Sequence, residues 1–209
     1  MTTILILIGI GAIVYGLSFL VKKILQRKLF KNFTELKLHR AEIEEGLRVF
    51  EAMLSGGQYL SNFQHQQWRA ANEKFSSYLS LSFENLVIVD SFKKSVIKFA
   101  RYFNNARPDI DKHNIEVSRV ESEHLKPLLE VRKIPFNSDQ LTAAVSEEDN
   151  TLVVAGAGTG KTTTILGKLA YLIDRLHVAP ADILLLSFTG KAVEELQSRV
   201  KRHFPEVDI

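Results

Sequence analysis

The sequence predicts an α/β fold class: a helical front half followed by the first strands and helices of a parallel sheet. Three observations predict it. Residues 4–21 form an apolar run without a charged side chain. Apolar residues then recur at helical spacing up to about residue 131. From residue 151 onward, two short β-branched or leucine-rich runs each precede a helical pattern.

Residues 1–21 are charge-free and are followed by Lys22, Lys23, Arg27, Lys28 and Lys31. Roughly 20 apolar helical residues cross a bilayer. Basic residues after the run, rather than before it, predict a transmembrane helix instead of a signal peptide. They also place the C-terminal part on the cytoplasmic side, a single-pass membrane anchor. The competing reading is a buried N-terminal helix.

Residues 22–133 predict a helical stalk or bundle. Leu36, Ile43, Leu47, Phe50, Met53 and Leu54 mark one stretch, and Leu79, Leu86, Val89, Phe92, Val96, Phe99, Ala100 and Phe103 a second. Gly56 and Gly57 interrupt the first stretch and Pro108 ends the second. A third helix is expected from Asp109 to about Arg132. Phe63, Trp68, Phe75 and Tyr78 read as core rather than as a base-stacking surface. Lys93, Lys94, Lys98 and Arg101 read as a solvated face.

The chain has no cysteine among its 209 residues, which excludes disulfides and thiolate metal sites. Its six histidines form no HExxH or HxxxH pair. A net charge of +3 gives no general signal for nucleic acid.

Residues 134–209 carry the chemistry. Residues 151–155 read as a buried strand. Then come Ala155, Gly156, Ala157, Gly158, Thr159, Gly160, Lys161, Thr162 and Thr163, followed by a helix with Leu166, Leu169, Ala170 and Ile173 on one face. Strand, glycine loop and helix in this order form a phosphate loop. Glycines let the backbone approach phosphates, and successive N–H groups form a nest for anionic oxygens. Lys161 reaches the β- and γ-phosphates of ATP, and the Thr162 hydroxyl serves Mg2+.

Flanking residues narrow the reading. Upstream stand Phe136, Asn137 and Gln140, with Ala143, Ala144 and Val145 after them. Downstream stand Ser187, Phe188, Thr189, Gly190, Lys191, Ala192, Val193, Glu195, Leu196 and Arg199. Together with the loop they resemble the Q motif, the phosphate loop and motif Ia of UvrD/Rep-type superfamily 1 DNA helicases. The helical segment ahead of them is similar to that of helicase IV-like members. Phe136 stands where leucine is usual, Gly190 for asparagine and Val193 for alanine.

The resemblance covers about residues 134–202 and implies a RecA-like P-loop NTPase domain. It further implies that Gln140 reads adenine, that residues 155–163 bind the nucleotide, and that Lys161 and Thr162 are catalytic. Ser187, Phe188, Thr189 and Lys191 would meet single-stranded DNA. The residues alone also allow Gln140 as a surface helix residue and 183–188 as a second buried strand with Phe188 in the core. The later family motifs have no counterpart before Ile209, so the motor is expected to be incomplete within this chain. The expected function is the ATP-binding N-terminal part of an ATP-dependent helicase translocating on single-stranded DNA. The alternatives are a truncated membrane-anchored ATP- or DNA-binding protein without turnover, and another P-loop NTPase.

Overall fold

The computed structural model describes residues 2–156 and 158–207, and side chains from Tyr15 onward. The described residues are helical, with no β-strand among them. They divide into two compact units: residues 1–56 with 64–109, and residues 57–63 with 110–209.

The first unit gathers α1 (Thr2–Leu38), α2 (Arg40–Ser55), most of α3 (Asn62–Ala71) and α4 (Phe92–Asn105). Leu29, Phe33 and Leu36 share one face of α1 and are fully buried. Ile43 and Phe50 of α2, Trp68 of α3 and Phe92, Val96, Phe99 and Phe103 of α4 complete this core. The Trp68 ring lies 4.8 Å from Phe50 and 5.3 Å from Phe99, and its Nε1 donates to the Gly46 carbonyl at 2.8 Å. A Cβ at Gly46 would lie 2.8 Å from Asn72 Oδ1 and 3.0 Å from Phe99 Cε2, so the bare glycine leaves room for the Asn72 amide and the Phe99 ring against α2. Trp68 and Phe75 are thus core, while Phe63 is exposed.

Three of the basic residues of α4 are occupied locally. Lys98 pairs with Glu51, Arg101 with Asp109 at 2.9 Å, and Lys93 donates to the carbonyls of Glu84 and Leu86. α2 stops at Gly56, and Gly57 follows with φ at 68°. The helical spacing from Leu79 to Val89 does not form a helix. Leu79, Phe83 and Leu86 are buried from an irregular segment, pinned by Asn32 and Asn104 donating to the carbonyls of Tyr78 and Leu79.

Two expectations are corrected here. Among the described residues, no helix is long and apolar enough to cross a membrane. The transmembrane reading of residues 1–21, and the membrane-anchored localisation drawn from it, is therefore overturned. The physical reason lies in α1: seven residues past Tyr15 its sequence turns basic, and its next apolar face is spent on the core at Leu29, Phe33 and Leu36. The side chains of residues 1–14, where most of that reading fell, lie outside the described residues.

The second correction concerns the α/β class. Residues 151–155 and 183–188 are not strands. They alternate as extended chain does: Ile183 and Leu185 pack against the core, whereas Leu184 and Leu186 are 78% and 82% exposed. A strand is defined by a neighbour that takes its N–H and C=O groups, and no described segment supplies one.

The second unit packs α5 (Arg107–Val131), α6 (Ser138–Val145), α7 (Lys161–Ala170) and α8 (Gly190–His203) around Leu125, Leu129, Leu141, Ala144, Leu166, Leu169, Tyr171, Val200 and Phe204. Pro108 sits in the first turn of α5, where its missing N–H costs nothing. A π-helical turn, Tyr171–Arg175, follows α7. Buried Asn114 exchanges two hydrogen bonds with the Leu60 backbone, both 2.9 Å, and ties residues 57–63 to α5.

Candidate nucleotide-binding site

The loop between residues 155 and 161 folds as its glycines require. Gly158 and Gly160 have φ of 77° and 88°, in the left-handed region that disfavours residues with a Cβ. Gly156 has no such need, and Ala157 lies outside the described residues. Gly160 is the N-cap of α7, so the loop delivers the positive end of a helix to whatever it encloses. Thr159 Oγ1 donates to the Gly156 carbonyl at 2.9 Å and closes the turn.

Lys161 folds back into this loop. Its Nζ donates to the carbonyls of Ala155 and Gly156 at 2.9 and 2.7 Å. Those contacts hold the ammonium against the loop backbone. Thr162 and Thr163 follow on the first turn of α7 and are half-buried. Among the described residues, no group of three His, Asp or Glu side chains is arranged to hold a metal ion.

Gln140 lies beside the loop. Asn137 caps α6: its side chain accepts from Gln140 N at 2.9 Å, while Gln140 Oε1 accepts from Asn137 N at 3.0 Å. This reciprocal capping box fixes the glutamine side chain over its own helix end. Gln140 Nε2 donates to the Thr159 carbonyl at 3.2 Å. A Cβ at Gly160 would lie 2.5 Å from that Nε2, so the loop glycine gives the amide its place.

Four residues earlier, the Phe136 ring meets α7. A Cβ at Gly167 would lie 1.9 Å from Phe136 Cζ, 2.5 Å from Cε1 and 2.9 Å from Cε2. In the sequence Phe136 is marked by its place before Asn137 and Gln140, whereas nothing marks Gly167, which stands in a helix interior. The capping box is legible there, since Asn followed three residues later by Gln is its signature. Lys168, the next residue after Gly167, donates to the Ser146 carbonyl at 2.6 Å, and burial pulls its pKa below the usual lysine range.

The downstream candidates lie on an exposed segment. Ser187, Phe188, Thr189 and Lys191 are all exposed, Phe188 completely so at 107%. Phe188 is therefore not a core residue. Thr189 caps α8, its Oγ1 accepting from Ala192 N at 3.2 Å. Arg199 pairs with Glu195 one turn away on the helix surface.

Residues 136–208 match the UvrD/REP helicase N-terminal domain. This third of the chain is related to the UvrD-family superfamily 1 DNA helicases. The match begins at Phe136 and takes in Gln140, the phosphate loop and the segment around Phe188. DNA helicase IV of Escherichia coli K12 is 39% identical over 80 residues, 38% of this chain and 12% of that protein. A putative ATP-dependent DNA helicase, YjcD, of Bacillus subtilis 168 is 39% identical over 71 residues, 34% of this chain and 9% of its own length. The ATP-dependent DNA helicase PcrA of Staphylococcus epidermidis is 43% identical over 66 residues, 32% and 9% respectively. The chain thus spans about a tenth of the length of the curated relatives it matches. No solved structure matches the chain.

Proposed function

We propose that residues 134–209 bind Mg-ATP as the nucleotide-binding part of a UvrD-type, ATP-dependent DNA helicase acting on single-stranded DNA. The observation that carries this is the Gln140 amide. It has one carbonyl with two lone pairs and one NH2 with two hydrogens. One lone pair goes to Asn137 N and one hydrogen to Thr159 O. One acceptor and one donor remain, in one plane, beside the phosphate loop. Adenine offers the complement: an N6 hydrogen to donate and N7 to accept. Guanine offers two acceptors on that edge, O6 and N7, so the free Oε1 lone pair would face O6. Discrimination of about 1–3 kcal/mol is expected from such a bidentate pair.

The loop N–H groups and the α7 N-terminus hold the phosphates, and Lys161 supplies the cation. Mg2+ fits this arrangement as an ion held mainly by phosphate oxygens and water, with the Thr162 hydroxyl as the protein's contribution. When bound, it neutralises charge on the phosphates. Ser187, Phe188, Thr189 and Lys191 are read as the single-strand contacts: an exposed ring for a base to stack on, with hydroxyls and an ammonium for the backbone.

The reading is tested by titrating labelled ATP into the chain with GTP as competitor, for wild type and Gln140→Ala. Wild type should prefer ATP, and Gln140→Ala should bind both nucleotides alike. Equal binding of the two by wild type would remove the adenine reading.

A further inference from the structure

Two residues of the Q-motif segment, four apart, meet two glycines of the loop and its helix, seven apart. Gln140 Nε2 occupies the space a Cβ at Gly160 would need, and the Phe136 ring occupies the space a Cβ at Gly167 would need. We propose that Gly167 is a positioning residue for base selection: its bare Cα seats the Phe136 ring, and that seat sets where the Gln140 amide stands over the phosphate loop. The proposal rests on the reading of Gln140 as the adenine-facing group.

The path between the two contacts is short. Phe136 precedes Asn137 directly, and Asn137 is the N-cap of α6. The Gln140 side chain is held by the Asn137 backbone N–H. A shift of Phe136 therefore moves the cap, and the cap carries the amide with it. α6 has eight residues, and its buried Leu141, Ala144 and Val145 all follow the cap, so Phe136 is the residue that packs directly ahead of it. Gly167 itself is a poor choice for a helix interior on propensity grounds. Its φ is ordinary, so no backbone conformation demands glycine there. What demands it is the ring edge, 1.9 Å from the missing Cβ.

The contact is also specific to a six-membered aromatic ring. The three atoms that close on Gly167 are Cζ, Cε1 and Cε2. A leucine at 136 has none of them. Alanine at 167 should therefore be harmful beside Phe136 and harmless beside leucine.

The test is the ratio of ATP to GTP affinity of the full chain, measured with fluorescent analogues for five proteins: wild type, Gln140→Ala, Gly167→Ala, Phe136→Ala, and Phe136→Leu with Gly167→Ala. Circular dichroism establishes that each is folded. Gln140→Ala should bring the ratio to about one. Gly167→Ala should lower it about tenfold while GTP affinity holds, and Phe136→Leu with Gly167→Ala should restore it. If Gly167→Ala does not fold, Phe136→Ala carries the test, since it empties the seat without a clash and should also lower the ratio. A folded Gly167→Ala or Phe136→Ala with the wild-type ratio overturns the proposal, as does a double variant that fails to recover it. If Gln140→Ala leaves the ratio unchanged, or wild type shows no preference, the adenine reading falls instead and this proposal with it.

Discussion

The Arg132 guanidinium lies over the Phe204 ring, 4.0 Å from its centroid, at the point where the end of α5 meets the end of α8. The same group donates to Asp174 Oδ1 at 2.6 Å, to the His203 carbonyl at 2.7 Å and to Glu206 at 2.7 Å. His203 Nδ1 donates in return to the Arg132 carbonyl at 2.8 Å. One planar cation thus joins α5, the π-helical turn and the segment after α8. The paired carboxylates hold its pKa above the usual arginine range.

Arg132→Met should destabilise the second unit by about 2–4 kcal/mol, because it strands the partly buried Asp174 carboxylate and removes the cation over Phe204. Hydrogen exchange in α8 should rise in step. Unchanged urea stability and unchanged α8 protection would show that the clasp is ornamental.

A histidine makes the first unit sensitive to acid. His65 packs against both Phe50 and Trp68, and its Nε2 donates to the Tyr102 carbonyl at 3.1 Å. Burial, with the nearby Arg69 charge, pulls its pKa below the ordinary value of 6.5 despite that carbonyl. The unfolded chain therefore takes up the proton first. The stabilisation is complete above about pH 6.5 and is lost as pH falls towards the lower folded value. Urea titrations read by Trp68 fluorescence should show stability falling from pH 7.5 to 5.5, and His65→Gln should flatten that slope. A slope unaltered in His65→Gln would assign the effect to other groups.

Phe188→Ala should leave thermal stability within about 0.5 kcal/mol, because a fully exposed ring supports no packing. On the proposed function it should weaken binding of a single-stranded oligonucleotide by about 1–3 kcal/mol, the worth of one stacked base. Loss of stability with intact DNA binding would reverse the assignment.

The sequence was informative where structure is local. The glycine loop, the start of α7 at Lys161 and the buried face of Leu166, Leu169 and Ala170 follow from short-range rules of backbone freedom and helical period. It was misleading where structure depends on a neighbour. The runs at 151–155 and 183–188 have the composition and alternation of strands, but a strand needs a second strand that these residues cannot supply to themselves. Leu79 and Leu86 fall at helical spacing and are buried, yet hydrogen bonds from Asn32 and Asn104, distant in sequence, hold their segment out of a helix. Gly167 was invisible for the same reason. Nothing in its own segment announces that the Phe136 ring rests on it.

The central claim is that the loop around Lys161 binds Mg-ATP, and calorimetric titration of Mg-ATP into the full chain tests it most directly. Wild type should give a saturable isotherm with one site. Lys161→Ala should give none, since the loop loses the ammonium now held by the carbonyls of Ala155 and Gly156. An isotherm in Lys161→Ala equal to that of wild type, or no binding by a folded wild-type chain, would contradict the account.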